Sequence, residues 1–122
     1  MPDFQYSDRK GNTANYNTIR ADSICTVILV GATWCEQCNN IEQQLLSLEK
    51  EYVMRHIEIP LDKHPKAWNA PYLKQLAVDH IPYLILVDNH GVIYARDIRI
   101  WQLARTLDEM GTPKKVTSKN ST

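Results

Sequence analysis

Residues Cys25 to Gly31, CTVILVG, form an unbroken run of apolar and β-branched side chains with no charge among them. A strand with one face in water alternates apolar and polar residues, whereas a strand without alternation is covered on both faces. The chain must therefore supply a layer on each side of this segment. One candidate follows at once. Ile41, Leu45, Leu48 and Tyr52 recur at spacings of four, three and four, while Glu42, Gln43, Glu49 and Lys50 fall between them. That is the period of an amphipathic helix, starting near Cys35.

The remaining segments build the same kind of layer. Pro2 to Ser7 reads as a strand, Arg9 to Asn12 as a turn and Thr13 to Tyr16 as a second extended piece, giving an N-terminal hairpin. A polar segment, Asn17 to Ser23, leads into the apolar run. Val53 to Ile59 returns as a strand, and Pro60, Asp62 and Pro65 close it into a loop. From Pro65 to His80 the residues Trp68, Tyr72, Leu73, Leu76 and Ala77 keep helical spacing, regular from Pro71 onward. Pro82 to Asp88 is a second buried strand, Asn89, His90 and Gly91 a tight turn, and Val92 to Arg96 the hairpin partner. Ile100, Leu103, Ala104 and Leu107 give a terminal helix, stopped by Gly111 and Pro113. Trp68 and Trp101 share the helical spacing and are read as core. The order predicts an α/β domain of three layers, α/β/α, with a mixed central sheet and an N-terminal β-hairpin extension.

At 122 residues the chain is expected to form one domain over 1–111, with the hairpin at 1–16 and the core at 25–110. Residues 112–122 read as a flexible polar tail. Fourteen basic and fourteen acidic residues cancel, so neither nucleic acid nor an anionic membrane surface is an expected partner. No run of about eighteen apolar residues marks a membrane span, and Met1 to Gly11 lacks the pattern of a secretory leader. A leader or anchor is expected to lie outside this sequence. Three cysteines leave at least one thiol unpaired.

Two of those cysteines stand in ATWCEQCN, Ala32 to Asn39, between the apolar run and the helix. A strand that turns directly into a helix aims the Cys35 sulfur at free backbone amides and the positive end of the helix dipole. The thiolate is the nucleophile, and in that setting a thiol pKa of about 8.5 can fall to roughly 3.5–7.5. Cys35 is thus the expected attacking thiol. Cys38, one turn further in and more shielded, fits the thiol that resolves a mixed disulfide. A metal site would need four ligands. His56, His64, His80 and His90 are scattered, and a second cysteine pair is lacking. Cys25, at the start of the buried strand, is read as a small hydrophobe. Trp34, beside the nucleophile, is read as part of a docking surface, and Glu36 places a like charge near the thiolate.

Strand, WCEQC, helix, then IPYLILVD with NHGVIYARD: together these resemble the thioredoxin fold, over about Pro2 to Met110. The opening PDFQYSDRKGN resembles the N-terminal hairpin of the bacterial envelope branch, the TlpA/ResA-like proteins. The resemblance implies that Cys35 is the nucleophile and Cys38 the resolving cysteine. It also implies that Pro82 is a cis-proline packed against the disulfide, leaving the backbone of Ile81 to pair with an extended substrate. Only about 5–6% of X–Pro bonds are cis, so this expectation comes from the resemblance alone. Gln37 stands where the branch commonly has a proline, which leaves the redox direction open. Leu29 stands where many thioredoxins carry a buried acid. Glu58, on the next strand, is the candidate replacement as proton acceptor for Cys38, or else an exposed residue on an alternating face.

The expected activity is thiol-disulfide exchange by Cys35 and Cys38, with Trp34, Glu36, Gln37, Ile81 and Pro82 forming the docking surface. Disulfide-containing or dithiol proteins are the expected substrates and an upstream redox protein the electron source, with no flavin, nicotinamide or metal. The chain is expected to act as a monomer in the bacterial envelope or periplasm, the cytoplasm being the alternative. Two other readings stand beside this one. The domain could serve as a binding module of a larger envelope protein with little turnover. The cysteine pair with His80 could instead handle Cu(I).

Overall fold

A computed structural model describes residues 3–19 and 24–115. In chain order the elements are β1 (Gln5–Ser7), β2 (Thr13–Asn15), α1 (Tyr16–Ile19), β3 (Cys25–Gly31), α2 (Glu36–Glu51) and β4 (Met54–Pro60). Two short 3-10 turns, Leu61–Lys63 and Ala67–Asn69, then precede α3 (Pro71–Leu76), β5 (Tyr83–Val87), β6 (Ile93–Arg96) and α4 (Ile100–Glu109). The main sheet has the order β4-β3-β5-β6, with β3 parallel to β4 and antiparallel to β5. It is mixed, as the element order predicts.

All seven residues of β3 are buried, which follows from a layer on each face. Ile28 and Val30 join Ile57, Ile59 and Ile85 under α3 and the N-terminal hairpin. Val27 and Leu29 join Leu84 and Leu86 under α2 and α4, where Ile41, Leu45, Leu103 and Leu107 close the core. The hairpin is attached by aromatic side chains. Phe4 stacks on Tyr16 with ring centroids 5.1 Å apart, and Tyr6 lies 5.8 Å from Phe4. Burying Phe4 alone contributes about 1.5–3 kcal/mol. The far end of α2 is tied to α4: Tyr52 caps the helix, and its hydroxyl donates to Asp108 Oδ1 at 2.7 Å. That hydrogen bond, with burial and nearby acids, pushes the Tyr52 phenol up to about 12.

Several expectations are corrected. Trp101 is 73% exposed and Trp68 51% exposed, so neither belongs to the core. The buried stripe of α4 runs through Leu103 and Leu107, and Trp101, two residues before Leu103, points well away from it. Trp68 lies in a 3-10 turn after Ala67, whose φ is +45°, so the helical spacing around it is not followed by a helix. The helix expected from Pro65 to His80 is confined to Pro71–Leu76 and stops at Ala77, which adopts a left-handed conformation. Tyr16 begins a short helix instead of ending a strand. The polar segment expected over 112–122 starts as bound chain. Val53 N–H donates to the Pro113 carbonyl and Lys115 N–H to that of Glu51, both at 2.8 Å. The rest of that tail, the polar stretch 20–23 and Pro2 lie outside the described residues. No helix among the described residues is long and apolar enough to cross a membrane.

Candidate active site

Strand β3 ends at Gly31, and the chain needs only Ala32, Thr33 and Trp34 to reach Cys35, the N-cap of α2. The Cys35 sulfur accepts the Cys38 N–H at 3.0 Å. A sulfur therefore fills the role usually taken by a serine or aspartate oxygen, in the place where the helix dipole favours negative charge. Cys35 and Cys38 are joined as a disulfide, their Cα atoms 5.2 Å apart. Accessibility separates them: Cys38 is fully buried, whereas Cys35 is partly exposed and Trp34 is 69% exposed. Of the two sulfurs, Cys35 is the one a partner can reach. Glu36, exposed in the first turn, suits the helix terminus but opposes a thiolate beside it.

The loop that carries Cys35 is held by residues that periodicity does not single out. Asp62, just after β4, accepts the Thr33 N–H at 2.8 Å on one oxygen and the Thr33 hydroxyl on the other. Desolvation works against the Asp62 charge, but the two Thr33 hydrogen bonds outweigh it and hold the carboxyl below its ordinary range. Asn39, in the first turn of α2, donates from its side-chain amide to the Thr33 carbonyl at 3.5 Å. Arg9, in the hairpin turn, donates to Asn39 Oδ1 at 2.9 Å. It also grips Glu58, with Nε to Oε1 at 2.6 Å and Nη2 to Oε2 at 2.8 Å. Both Glu58 oxygens are thus engaged by Arg9, and Glu58 is neither a free exposed acid nor unpartnered behind Cys38.

Pro82 follows Ile81 through a cis peptide bond, as the resemblance implies. It lines a cavity of about 170 Å³ together with Gln37, Ile41, Ile98, Arg99 and Trp101. The cis-proline segment and the first turn of α2 therefore share one depression beside the cysteines. His80, two residues before Pro82, pairs through Nδ1 with Asp79 at 2.7 Å and through Nε2 with Asp97 at 3.0 Å. The Asp79 hydrogen bond, then that to Asp97, raises the His80 pKa. Both ring nitrogens are thus engaged with carboxylates, and among the described residues no group of His, Cys, Asp or Glu could hold a metal ion. Cys25 sits at the other end of β3 from the dithiol. Its thiol lies 3.9 Å from the Val53 carbonyl and 4.0 Å from the Thr112 hydroxyl, and burial pushes its pKa up.

No family model and no curated protein matches the sequence. Solved structures do match the fold. The thioredoxin domain of a thiol-disulfide oxidoreductase from Bacteroides vulgatus superimposes with a TM-score of 0.67 at 19% identity, covering 89% of this chain and 93% of that one. A thiol-disulfide oxidoreductase from Bacteroides fragilis gives 0.66 at 22% identity, with 89% and 97% covered. Thioredoxin O2 from Arabidopsis thaliana gives 0.58 at 23% identity over 72% and 76%. The fold is thioredoxin-like.

This thioredoxin-like domain carries the hairpin β1–β2 in front of its core. Leu29, the position at which the resemblance implies a buried acid, is fully buried and pairs in register with Glu58. The residues missed in the sequence are Arg9, Thr33, Asn39 and Asp62. Arg9 and Asp62 gave a signal only as turn and loop residues, and that signal says nothing about the groups they hold.

Proposed function

We propose that this chain is a thiol-disulfide oxidoreductase acting on disulfides of partner proteins, with Cys35 as nucleophile and Cys38 as resolving thiol. One observation carries the reading: a partly exposed sulfur caps α2 and is bonded to a buried sulfur one turn further in. In the reduced chain the Cys35 thiolate attacks one sulfur of a substrate disulfide. That S–S bond breaks, the second substrate sulfur leaves as a thiolate and takes up a proton, and a mixed disulfide remains. Cys38, after losing its proton, attacks the Cys35 sulfur and expels the first substrate sulfur, the one held in the mixed disulfide, as a thiolate that takes up a proton. Two electrons have passed to the substrate, and the chain carries the Cys35–Cys38 disulfide. An upstream dithiol protein returns the electrons, with no flavin, nicotinamide or metal in the cycle.

Trp34, Gln37, Ile81 and Pro82 form the docking surface, supported by the exposure of Trp34 and by the cavity shared between Gln37 and Pro82. The bacterial envelope is the proposed compartment, supported by the hairpin resemblance, and the monomer is the proposed acting form. Insulin reduction in the presence of a dithiol donor tests the activity. Turnover by the unaltered chain and none by Cys35→Ser is expected, and equal turnover by both would overturn the reading. Equilibration of the couple with glutathione sets its direction: a potential near about −270 mV marks a reductant and one near about −120 mV an oxidant.

A further inference from the structure

We propose that Arg9, at the tip of the N-terminal hairpin, is a positioning residue for the dithiol: it holds Asn39 and, through Asn39, the loop that carries Cys35. The inference rests on the oxidoreductase reading of Cys35 and Cys38 and adds to it a working part outside the core of the domain.

The hairpin tip is a built element. Asp8 Oδ1 accepts the N–H groups of Lys10 and Asn12, both at 2.9 Å, and Gly11 N–H donates to the Asp8 carbonyl at 2.9 Å. Gly11 has a φ of +83°, which a side chain would strain. Phe4, Tyr6 and Tyr16 fasten the base of the hairpin to the core. Arg9 therefore projects from a fixed support. Glu58, with a side chain 10% exposed, orients the guanidinium through a two-pronged pair, and Nη2 is left aimed at Asn39 Oδ1 as well. A guanidinium donates in a rigid plane, so it specifies direction where an ammonium would not.

Asn39 converts that grip into loop geometry. With Oδ1 engaged by Arg9, its amide nitrogen faces the Thr33 carbonyl, while its backbone N–H donates to the Cys35 carbonyl at 3.1 Å. Thr33 is held on its other side by Asp62. Trp34 and Cys35 follow directly, and Cys38 precedes Asn39. The charge balance of this corner runs the same way. Facing it are Arg9 from the hairpin, Glu42 from α2, His56 and Glu58 from β4, and Asp62; Glu42 lies 3.7 Å from Arg9 and 3.8 Å from His56. Removing Arg9 leaves the Glu58 carboxylate without its cation and takes a guanidinium from beside Glu42, close to the helix turn that must hold a thiolate.

The test uses the full chain with Arg9→Ala, Arg9→Lys and Asn39→Ala, each read by two measurements: the equilibrium of the dithiol with glutathione, and the pH dependence of Cys35 alkylation by iodoacetamide. Arg9→Ala is expected to raise the alkylation midpoint and move the equilibrium toward the disulfide by about threefold or more, the scale of coupling within one hydrogen-bonded network. Asn39→Ala, which keeps the Arg9–Glu58 pair, is expected to shift the equilibrium as well, and the double variant to add nothing beyond the larger single effect. Arg9→Lys should fall between Arg9→Ala and the unaltered chain. Loss of thermal stability in Arg9→Ala with an unchanged equilibrium and pH profile would make Arg9 structural only and overturn the proposal. So would full additivity in the double variant, or an Arg9→Lys chain identical to the unaltered one. Should Arg9→Ala fail to fold, Asn39→Ala carries the same test. Both measurements report on the chain's own dithiol, so failure to turn over insulin overturns the oxidoreductase reading and leaves this result legible.

Discussion

Cys38 packs on Gly31 so closely that a methyl group at position 31 would stand 2.9 Å from both the Cβ and the Sγ of Cys38. The end of β3 and the first turn of α2 thus meet without room for a side chain. Gly31→Ala forces either the strand end or the helix turn to move, and overpacking of this kind costs about 1–3 kcal/mol. Urea unfolding of the disulfide form should show a lower midpoint at unchanged slope. An unchanged midpoint would mean that Cys38 has space the geometry denies it.

Asp62→Asn removes the charge that holds Thr33 while keeping the shape of the side chain. The Asp62 carboxyl is depressed by its Thr33 hydrogen bonds, so its contribution to stability is present above the unfolded value of about 3.9 and is lost as pH falls through the lower folded value. The stability difference between the variant and the unaltered chain should therefore be full at neutral pH and disappear in strong acid. Unfolding midpoints measured from pH 2 to pH 7 check this. A difference that is constant across the range would place the effect elsewhere than the Asp62 charge.

His80 behaves with the opposite sign. Its pKa is raised by Asp79 and Asp97, so the stabilisation is fully present below the unfolded value of about 6.5 and is lost as pH rises through the folded value. His80→Gln should be less stable than the unaltered chain in mild acid and equal to it well above that window. Because Asp97 precedes the Ile98–Trp101 wall of the Pro82 cavity, substrate KM should follow the same profile. A pH-independent KM difference would separate His80 from the docking surface.

Trp101 is exposed and lines the cavity next to Gln37 and Pro82. Trp101→Ala is expected to change stability by no more than about 0.5 kcal/mol, as exposed substitutions do, while raising the KM for a protein disulfide and sparing the rate with a small disulfide reagent. Steady-state kinetics with both substrates measures the split. A large loss of stability would return Trp101 to the core.

Much of this molecule is local chemistry and was readable along the chain. The non-alternating run at Cys25–Gly31 demands two covering layers, the four-three-four spacing after Cys38 demands α2, and a cysteine at a strand-to-helix turn acquires its cap from geometry alone. Where the pattern misled, spacing did not say which face of a helix is covered, at Trp101, or that no α-helix forms there, at Trp68. The supports of the site have no such local signature. Arg9, Asn39 and the stretch that carries Glu58 and Asp62 are far apart in sequence and meet only because parallel β3–β4 pairing brings the end of β4 beside the Thr33 loop, and because aromatic packing sets the hairpin tip over the first turn of α2. Hydrogen bonds act over about 3 Å, so a network among such residues exists only once the tertiary structure has closed the distance.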